Sequence, residues 1–386
     1  MIQKLLKENN TAFYVFDDRK VKERLRLLRS YLPEQVDIAY AVKANPFLVK
    51  GMIPWVERFE ICSPGESRIC DGLGVPPEMT VISGVYKTPE FIEELVARTE
   101  GRIYTVESMT QFALLRSLSE KYGKTLSILI RLTNDSQFGI NQEELESIIE
   151  NRHSYLHLHI LGIQYFSGTQ KTSLKKLARE LHHLDALLTV LREKYDYCAE
   201  ELEYGTGFPV AYFGEELEEE TLLGGFGELL EQMTFRGKIT LEIGRSIAAC
   251  SGRYYTHIVD IKRNKGQNYL LVDGGMHHIV YFGQYMGMKH PALRVWGKEE
   301  QPGVECWNIC GSLCSMNDIM AKQVELPEVQ IGDVLCFENT GAYCMTEGNA
   351  LFLSRDIPGV YVIGEDGQVI QARKPFETYV LNTIQD

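Results

Sequence analysis

The sequence lacks a surplus of positive charge. Its 386 residues include 40 Lys and Arg against 53 Asp and Glu, which gives a formal net charge of −13. Proteins that bind nucleic acids or anionic membrane surfaces carry basic patches, and this composition supplies none. We therefore expect neither kind of partner.

Long apolar runs are also missing. No uninterrupted stretch approaches the ~18 residues that a membrane-spanning helix needs. The first ten residues, MIQKLLKENN, reach Asn9 and Asn10 before the apolar segment of a signal peptide can form. These absences predict no membrane association and a cytoplasmic location.

The nine cysteines do not follow the short, regular spacing of a disulfide framework. Cys306, Cys310 and Cys314 are spaced by four residues, but they lack the paired C-x-x-C form and nearby histidines that zinc sites use. We expect no metal site. A hydrophobic content of 44% and a charged content of 24% are typical of an ordinary globular protein.

The first two thirds of the chain alternate short apolar runs with longer amphipathic stretches, which predicts βα units around a parallel sheet. Eight runs over ~210 residues match a (β/α)8 TIM barrel, with an open doubly wound sheet as the alternative. The runs are VDIAYAVK (36–43), FEICS (59–63), TVISGV (80–85), RIYTVE (102–107), LSILIRL (126–132), HILGIQYF (159–166), ELEYG (201–205) and ITLEIG (239–244).

After residue 248 strand-like runs are separated by turn residues, which predicts a second, mostly antiparallel β domain. The early run AFYVFD (12–17) is a candidate for that sheet. We predict a barrel over 30–248 and a discontinuous β domain formed by 1–29 and 249–386. The runs expected in its C-terminal part are YYTHIVDIKR, NYLLVDGG, DVLCFEN, ALFLSR, GVYVIG and QVIQARK.

Functional groups of such barrels collect at the C-terminal ends of the strands. Lys43 ends the first run, where a desolvated amine suits Schiff-base chemistry, although such a lysine also reaches solvent in many proteins. Gly205 and Gly207 predict a turn whose exposed N–H groups could bind a phosphate. The alternative is a simple turn without a ligand. Glu242 and Arg245 follow the eighth run, either as cofactor ligands or as a surface ion pair.

In this order the residues resemble the alanine-racemase-like, fold-type III pyridoxal phosphate enzymes, and among them the amino-acid decarboxylases related to diaminopimelate and ornithine decarboxylase. The resemblance covers nearly the whole chain. The matching segments are YAVKAN (40–45), FEICSPGE (59–66), YGTGFP (204–209), EIGR (242–245), CGSLCSMND (310–318) and GAY (341–343).

The resemblance implies a role for each matching residue. Lys43 is expected to hold pyridoxal 5′-phosphate as a Schiff base, and Glu242 to keep the ring nitrogen protonated, which favours decarboxylation over racemisation. The phosphate is expected at the turn of Gly205 and Gly207, at Arg245 and at Tyr343.

Cys314 is expected to reach over from the partner subunit of a homodimer with shared active sites and to return a proton to the α-carbon. The alternative for this thiol is a structural role. The other functions left open are an amino-acid racemase and a noncatalytic homologue that regulates a true decarboxylase, although the retained set of site residues argues against the latter.

Several positions depart from the family pattern. Phe166 stands where the family has a histidine that stacks on the cofactor, and Thr169 where it has serine. Ser315 follows Cys314 in place of the acidic residue of diamine-releasing members, and Tyr281 is found in the stretch that carries an arginine in diaminopimelate decarboxylases. Losing both charges argues against diaminopimelate and ornithine as substrates.

The segment DGGMHH (273–278) is similar to a divergent branch that includes the glutamyl carrier-protein decarboxylase of butirosin assembly. In that branch His277 and His278 are expected to face the substrate; the alternative is that they are ordinary strand residues. A carrier-bound amino acid and a free amino acid both remain open as substrates.

Overall fold

The computed structural model describes residues 1–384, and backbone contacts divide them into two compact units. The barrel unit contains Leu25–Pro209 and Glu218–Ser246. The β unit contains Met1–Arg24, Val210–Leu217 and the chain from Ile247 onwards. The sequence did not predict that 210–217 would group with the β unit.

Strands account for most of the regular structure in the β unit and for the wall of the barrel. They are β1 (Phe13–Asp17), β2 (Val36–Ala41), β3 (Arg58–Ile61), β4 (Thr80–Ile82), β5 (Ile103–Val106), β6 (Leu126–Arg131), β7 (Leu158–Phe166), β8 (Glu201–Gly205), β9 (Lys238–Ile243), β10 (Gly252–Asn264), β11 (Gln267–Val272), β12 (Leu293–Val295), β13 (Glu305–Cys310), β14 (Ile319–Leu326), β15 (Val334–Phe337), β16 (Gly359–Ile363) and β17 (Val369–Arg373).

Helices alternate with the strands through the first two thirds of the chain. They are α1 (Ile2–Glu8), α2 (Asp18–Tyr31), α3 (Val49–Met52), α4 (Pro64–Gly72), α5 (Pro89–Arg98), α6 (Met109–Tyr122), α7 (Gln142–Glu150), α8 (Leu174–Tyr195), α9 (Glu219–Gln232) and α10 (Arg245–Ala248). Within residues 1–384, none of them has the length and apolar character that a membrane crossing demands.

Strands β2 to β9 form a closed, parallel barrel in chain order, and each of the eight predicted runs supplies one of them. Strand β9 pairs with β2 to close the barrel, which brings Glu242 opposite Ala39. The predicted fold class is therefore confirmed, and the open-sheet alternative is wrong.

Side-chain caps explain where several barrel helices begin. The hydroxyls of Ser63, Thr88 and Ser108 accept hydrogen bonds from the backbone N–H groups three residues later, at the starts of α4, α5 and α6. Proline occupies the first turn of α4 and of α5, where its missing N–H costs nothing.

The β unit contains a mostly antiparallel sheet with the order β14-β13-β11-β10-β1-β16-β17, and β15 pairs with β10 and β12. The early strand β1 joins this sheet between β10 and β16, as the sequence suggested. Lys265 and Gly266 both have positive φ, so the β10–β11 hairpin has the turn that suits strand twist.

Two strand predictions need correction. The first barrel strand ends at Ala41, and Lys43 lies in the 3-10 turn Val42–Ala44 that follows it. The run ALFLSR (350–355) is not a strand: it contains a 3-10 turn in which Leu353 and Ser354 have positive φ, a conformation that a strand does not allow.

Candidate active site

Lys43 lies just beyond the C-terminal end of β2, in a turn whose backbone is fixed by its neighbours. The Tyr40 hydroxyl donates a hydrogen bond to the carbonyl of Asn45 (3.0 Å), and the Asn45 side chain accepts one from the N–H of Phe47 (3.0 Å). The lysine side chain remains 38% exposed. Its amine is therefore held at the barrel end while still reachable by a ligand.

Two buried carboxylates and a thiol surround this amine. Lys43 Nζ lies 2.7 Å from Glu60 Oε2 and 3.4 Å from Glu242 Oε1. The Cys62 thiol, 3.5 Å from Nζ, donates a hydrogen bond to Glu60 Oε1 (2.9 Å). The structure thus brings together the predicted pair, Lys43 and Glu242, and adds Glu60, which the sequence analysis had not singled out.

The two carboxyls respond differently to the same ammonium. Burial raises the pKa of each, but at Glu60 the nearby Lys43 charge and hydrogen bonds outweigh it, so the pKa of Glu60 is lowered. At Glu242, burial and the facing charge of Glu60 raise the pKa in spite of Lys43. One cation beside two carboxylates leaves Glu242 able to share a proton.

Gln164 of β7 orients Glu242 from the other side. Its Nε2 donates a hydrogen bond to Glu242 Oε2 (3.1 Å), while its buried Oε1 has no hydrogen-bond partner in the described residues. A buried, unsatisfied amide oxygen is costly, and such atoms concentrate at sites that bind a ligand.

The predicted phosphate turn follows β8. Gly207 has φ of +60°, and a Cβ at this position would lie 2.1 Å from the carbonyl oxygen of Gly168. A Cβ on Gly205 would lie 2.4 Å from Cδ2 of Phe166, which is its cross-strand neighbour. Close packing therefore requires glycine at both positions, and the positive φ of the turn requires it at Gly207 as well.

Arg245 and Thr169 meet beside this turn. Arg245 is 9% exposed and begins the short helix α10, and its Nε donates a hydrogen bond to Thr169 Oγ1 (3.2 Å). The guanidinium and the turn thus both lie next to the 166–169 segment. A guanidinium and backbone N–H groups are common ligands of phosphate.

A second ionic network, missed by the sequence analysis, lies deeper in the barrel. Arg58 donates to Glu203 Oε2 (3.1 Å) and pairs with Glu201, which also accepts from Thr240 (2.6 Å). Burial raises the pKa of Glu203 to about 8, despite Arg58. The alternation of charged and apolar residues in ELEYG was the available signal, since inward positions of a barrel strand recur with period two.

In the β unit, Cys314 is exposed on the loop between β13 and β14. Asp318 fixes this loop: its Oδ2 accepts from the N–H of Leu313 (2.8 Å) and its Oδ1 from that of Met276 (2.7 Å). The N–H of Ser312 donates to the carbonyl of Gly274 (2.7 Å). Cys314 and the half-buried Ser315 therefore stand on a braced loop.

Tyr281 is buried, and its hydroxyl donates to the carbonyl of Glu338. Its ring lines a cavity of about 80 Å³ in the β unit, and the side chains that line this cavity are all uncharged. The Asp318 carboxylate lies beside it and accepts from the N–H of the lining residue Met276. The lining residues are Met276, Ile279, Val280, Tyr281, Gln284, Met286, Asn317, Ile319, Met320 and Phe337.

The two predicted histidines are also buried in the β unit. His278 has both ring nitrogens engaged, one with the Tyr254 hydroxyl (2.9 Å) and one with the carbonyl of Asp356 (2.8 Å). Burial lowers the pKa of His278 to about 4 and that of His277 to about 3. Both histidines lie in a turn after β11, so the alternative that they are strand residues is wrong, and their expected place beside the substrate stays a prediction.

Tyr343, the last predicted phosphate ligand, is half-buried in the β unit. Its φ is +64°, which is strained for a side chain of this size. Its carbonyl accepts from the N–H groups of Thr346 (2.8 Å) and Glu347 (3.0 Å), which hold the strained turn.

Comparisons with known proteins agree with this geometry. The pyridoxal-binding domain of the pyridoxal-dependent decarboxylases matches residues 18–249. L-glutamyl-BtrI acyl-carrier protein decarboxylase from Niallia circulans is 26% identical, with coverage of 92% of this chain and 90% of that protein. Diaminopimelate decarboxylase from Aquifex aeolicus is 29% identical, with coverage of 89% and 84%.

Solved structures show the same fold. Diaminopimelate decarboxylase from M. jannaschii, solved in complex with L-lysine, superimposes with a TM-score of 0.87 at 19% identity. The superposition covers 99% of this chain and 94% of the other.

The barrel residues fit pyridoxal phosphate. An amine beside a buried carboxylate meets the needs of the ring, and the Arg245 guanidinium, whose Nε donates to Thr169 next to the glycine turn, meets those of the phosphate. The family match covers more than half of the chain. The chain therefore belongs to the pyridoxal-dependent decarboxylases, and its cofactor is pyridoxal phosphate.

Proposed function

We propose that this decarboxylase removes the α-carboxylate of an amino acid whose distal end is neutral. The observation that carries the proposal is the position of Lys43, whose amine lies between Glu60 and Glu242 at the end of the barrel. Lys43 is the covalent anchor of the cofactor, and Glu242 holds a proton at the ring nitrogen. The turn at Gly205–Gly207 and Arg245 take the phosphate, and the expected part of Tyr343 in that site stays a prediction from the family resemblance.

The bound cofactor withdraws electrons from the α-carbon so that carbon dioxide can leave. The protein must then supply the orientation and the protons. Glu60 holds the Lys43 amine within 2.9 Å of both carboxylate oxygens, which fixes the direction of the side chain. Gln164 does the same for Glu242 through its hydrogen bond of 3.1 Å.

Cys314 is proposed to return a proton to the α-carbon after carbon dioxide has left. Its exposure on a loop braced by Asp318 suits a thiol that acts across an interface. We therefore propose a homodimer in which Cys314 belongs to the partner's active site. The exposed side chains of Leu351, Phe352 and Leu353 support association, because an apolar patch on a surface favours a protein partner.

The neutral distal end is inferred from Tyr281 and Ser315, which stand where related decarboxylases specific for diaminopimelate or for diamine products carry charged residues. The Tyr281 side chain cannot form an ion pair with a distal ammonium or carboxylate, and an unpaired buried charge costs several kcal/mol. Ser315 likewise offers only a hydroxyl. An amino acid joined to a carrier protein through its side-chain carboxyl keeps its α-carboxylate and has such a neutral end, and the Niallia circulans relative acts on a glutamyl carrier protein. A free amino acid with a neutral side chain is the alternative.

The first experiment is a visible absorption spectrum of the purified protein before and after borohydride reduction, followed by peptide mass mapping. We expect reduction to fix the cofactor on Lys43 and expect Lys43→Ala to take up no reducible cofactor. A protein that stays colourless after incubation with pyridoxal phosphate would overturn the proposal in favour of a noncatalytic regulator.

The substrate is then identified by carbon dioxide release from free neutral amino acids, carrier-bound aminoacyl groups, diaminopimelate and ornithine. We expect turnover only with the first two classes. A product that retains its carboxylate would indicate a racemase instead.

The role of Cys314 is tested against a matched exposed cysteine of the same unit, Cys306. We expect Cys314→Ala to lower kcat by about 100-fold, as loss of a general acid does, and Cys306→Ala to leave it unchanged. Undiminished turnover in Cys314→Ala would contradict the assignment.

Sharing of the active site is tested by mixing Lys43→Ala with Cys314→Ala subunits. Random exchange makes half of the dimers mixed, each with one intact site, so about a quarter of the wild-type activity should return. No recovery after verified exchange would contradict the shared site. A cytoplasmic location remains a prediction from the sequence.

A further inference from the structure

A buried lysine lies directly beneath the turn proposed to bind phosphate. The Lys171 side chain is 1% exposed, and its Nζ lies 2.8 Å from Glu180 Oε2. It also donates to the carbonyl of Gly205 (3.3 Å) and approaches the Tyr204 hydroxyl at 3.4 Å. Burying an ammonium is expensive, so its retention here calls for a physical reason.

Lys171 contacts both ends of the glycine turn. Its side chain donates to the carbonyl of Gly205, and its backbone N–H donates to the carbonyl of Gly207 (2.9 Å). A Cβ on Gly207 would lie 3.1 Å from Lys171 Cε, so the aliphatic stem packs against the turn as well. One residue therefore fixes both carbonyls, and with them the direction of the Gly207 N–H, whereas the Thr206 N–H donates to the carbonyl of Glu242 (3.3 Å).

Glu180 of α8 balances this charge and joins the network to the barrel wall. It accepts hydrogen bonds from Ser167 Oγ (2.6 Å) and from the Tyr204 hydroxyl (2.6 Å) in addition to Lys171. Three donors satisfy a carboxylate that is itself only 10% exposed. A buried pair whose hydrogen bonds are all satisfied keeps a fixed geometry, and breaking one partner is strongly unfavourable.

We propose that Lys171 is a positioning residue that sets the affinity for the cofactor's phosphate by holding the Gly205–Gly207 turn in shape. The inference rests on the proposed placement of the phosphate at this turn. Lys171 does not act on the ring or on the substrate. Its loss should therefore weaken binding of pyridoxal phosphate but not of pyridoxal, which has the same ring and no phosphate.

The test compares Lys171→Met with Lys175→Met, an exposed lysine on the first turn of α8. The affinities of the cofactor-free proteins for pyridoxal phosphate and for pyridoxal are measured by absorbance titration. For Lys171→Met we expect a loss of about tenfold or more for pyridoxal phosphate and a change within about twofold for pyridoxal. Lys175→Met should match the wild type for both ligands.

The double variant Lys171→Met, Glu180→Gln removes both charges. Its amide oxygen can accept from one of the two hydroxyls of Tyr204 and Ser167, and its NH2 group can donate to the other, so the variant remains informative if the single variant does not fold. It should show the same selective loss, together with a changed phosphorus-31 shift of the bound phosphate. Equal losses for both ligands, or no loss in either variant, would overturn the inference. A wild type that binds pyridoxal as tightly as pyridoxal phosphate would instead contradict the proposed phosphate site.

Discussion

Replacement of Gly207 by alanine tests whether the turn needs glycine for its backbone, for its packing, or for both. Gly207 has φ of +60°, and an added Cβ would lie 2.1 Å from the carbonyl oxygen of Gly168. Gly123 at the end of α6 has nearly the same φ, +62°, but a Cβ there would meet nothing within 4 Å. Comparing the two alanine variants therefore separates the cost of the left-handed backbone conformation from the cost of the steric collision.

The left-handed conformation costs alanine about 1–2 kcal/mol at either position. At Gly207 the collision between the added Cβ and the carbonyl oxygen of Gly168 should add about 1–3 kcal/mol to this cost, because neither the Gly168 carbonyl nor the turn can move freely. We expect Gly123→Ala to lower the free energy of unfolding by about 1–2 kcal/mol and Gly207→Ala by about 2–5 kcal/mol.

Urea unfolding of the cofactor-free proteins measures these free energies, and titration with pyridoxal phosphate measures the second consequence. Only Gly207→Ala should weaken cofactor binding, because only that turn contributes to the proposed phosphate site. Equal destabilisation by the two variants, with equal cofactor affinity, would refute the reasoning.

Three further predictions concern other parts of the molecule. Glu242→Gln should lower kcat about 100-fold at saturating cofactor in a carbon dioxide assay, because an amide cannot keep the ring nitrogen protonated. Asp318→Asn should lower the free energy of unfolding in urea by about 1–3 kcal/mol and lower kcat, with unchanged cofactor affinity. The reason is that the asparagine NH2 group would face one of the two backbone N–H groups that now donate to the Asp318 carboxylate. Burial lowers the pKa of His278 to about 4, whereas in the unfolded chain this histidine has its ordinary pKa of about 6.5. Between pH 6.5 and pH 4 it is therefore protonated mainly in the unfolded chain. The free energy of unfolding should fall by about 2 kcal/mol as the pH is lowered from 7 to 5. In His278→Phe this contribution to the pH dependence should be absent. The prediction would be contradicted if the free energy of unfolding changed with pH as steeply in the variant as in the wild type.

The barrel was predictable because its strands are buried on both sides. Such strands appear as short apolar runs, and the caps at Ser63, Thr88 and Ser108 mark the helices between them. The β unit was less predictable. In ALFLSR the apolar residues are consecutive but exposed, and positive φ values at Leu353 and Ser354 form a turn that hydrophobicity alone does not reveal.

The candidate site was predictable where one short segment carries the chemistry, as at Lys43, Gly207 and Arg245. The amine's partners follow from barrel closure. Glu242 lies near the end of β9, which pairs with β2, and Glu60 lies on β3, which pairs with the other side of β2; Lys43 follows β2 in the chain. A sequence pattern can place each carboxylate on a strand. It does not show that Glu60 takes the shorter contact to the amine, which depends on side-chain directions around the closed barrel.

The burial of Lys171 could not be predicted from the local sequence. In TQKTS a lysine resembles a solvent-exposed loop residue, because an unpaired ammonium would not be buried. The charge becomes tolerable only through Glu180, nine positions later on α8, and Tyr204, thirty-three positions later on β8. Those partners are gathered by the same strand pairing that places Gly205 against Phe166, so the network beneath the turn is a consequence of tertiary structure. Removal of Glu180 alone would leave the Lys171 ammonium buried without its opposite charge. Glu180→Leu should therefore lower the free energy of unfolding by about 3–5 kcal/mol in urea unfolding. This loss should exceed that of the double variant Lys171→Met, Glu180→Gln, which carries neither charge.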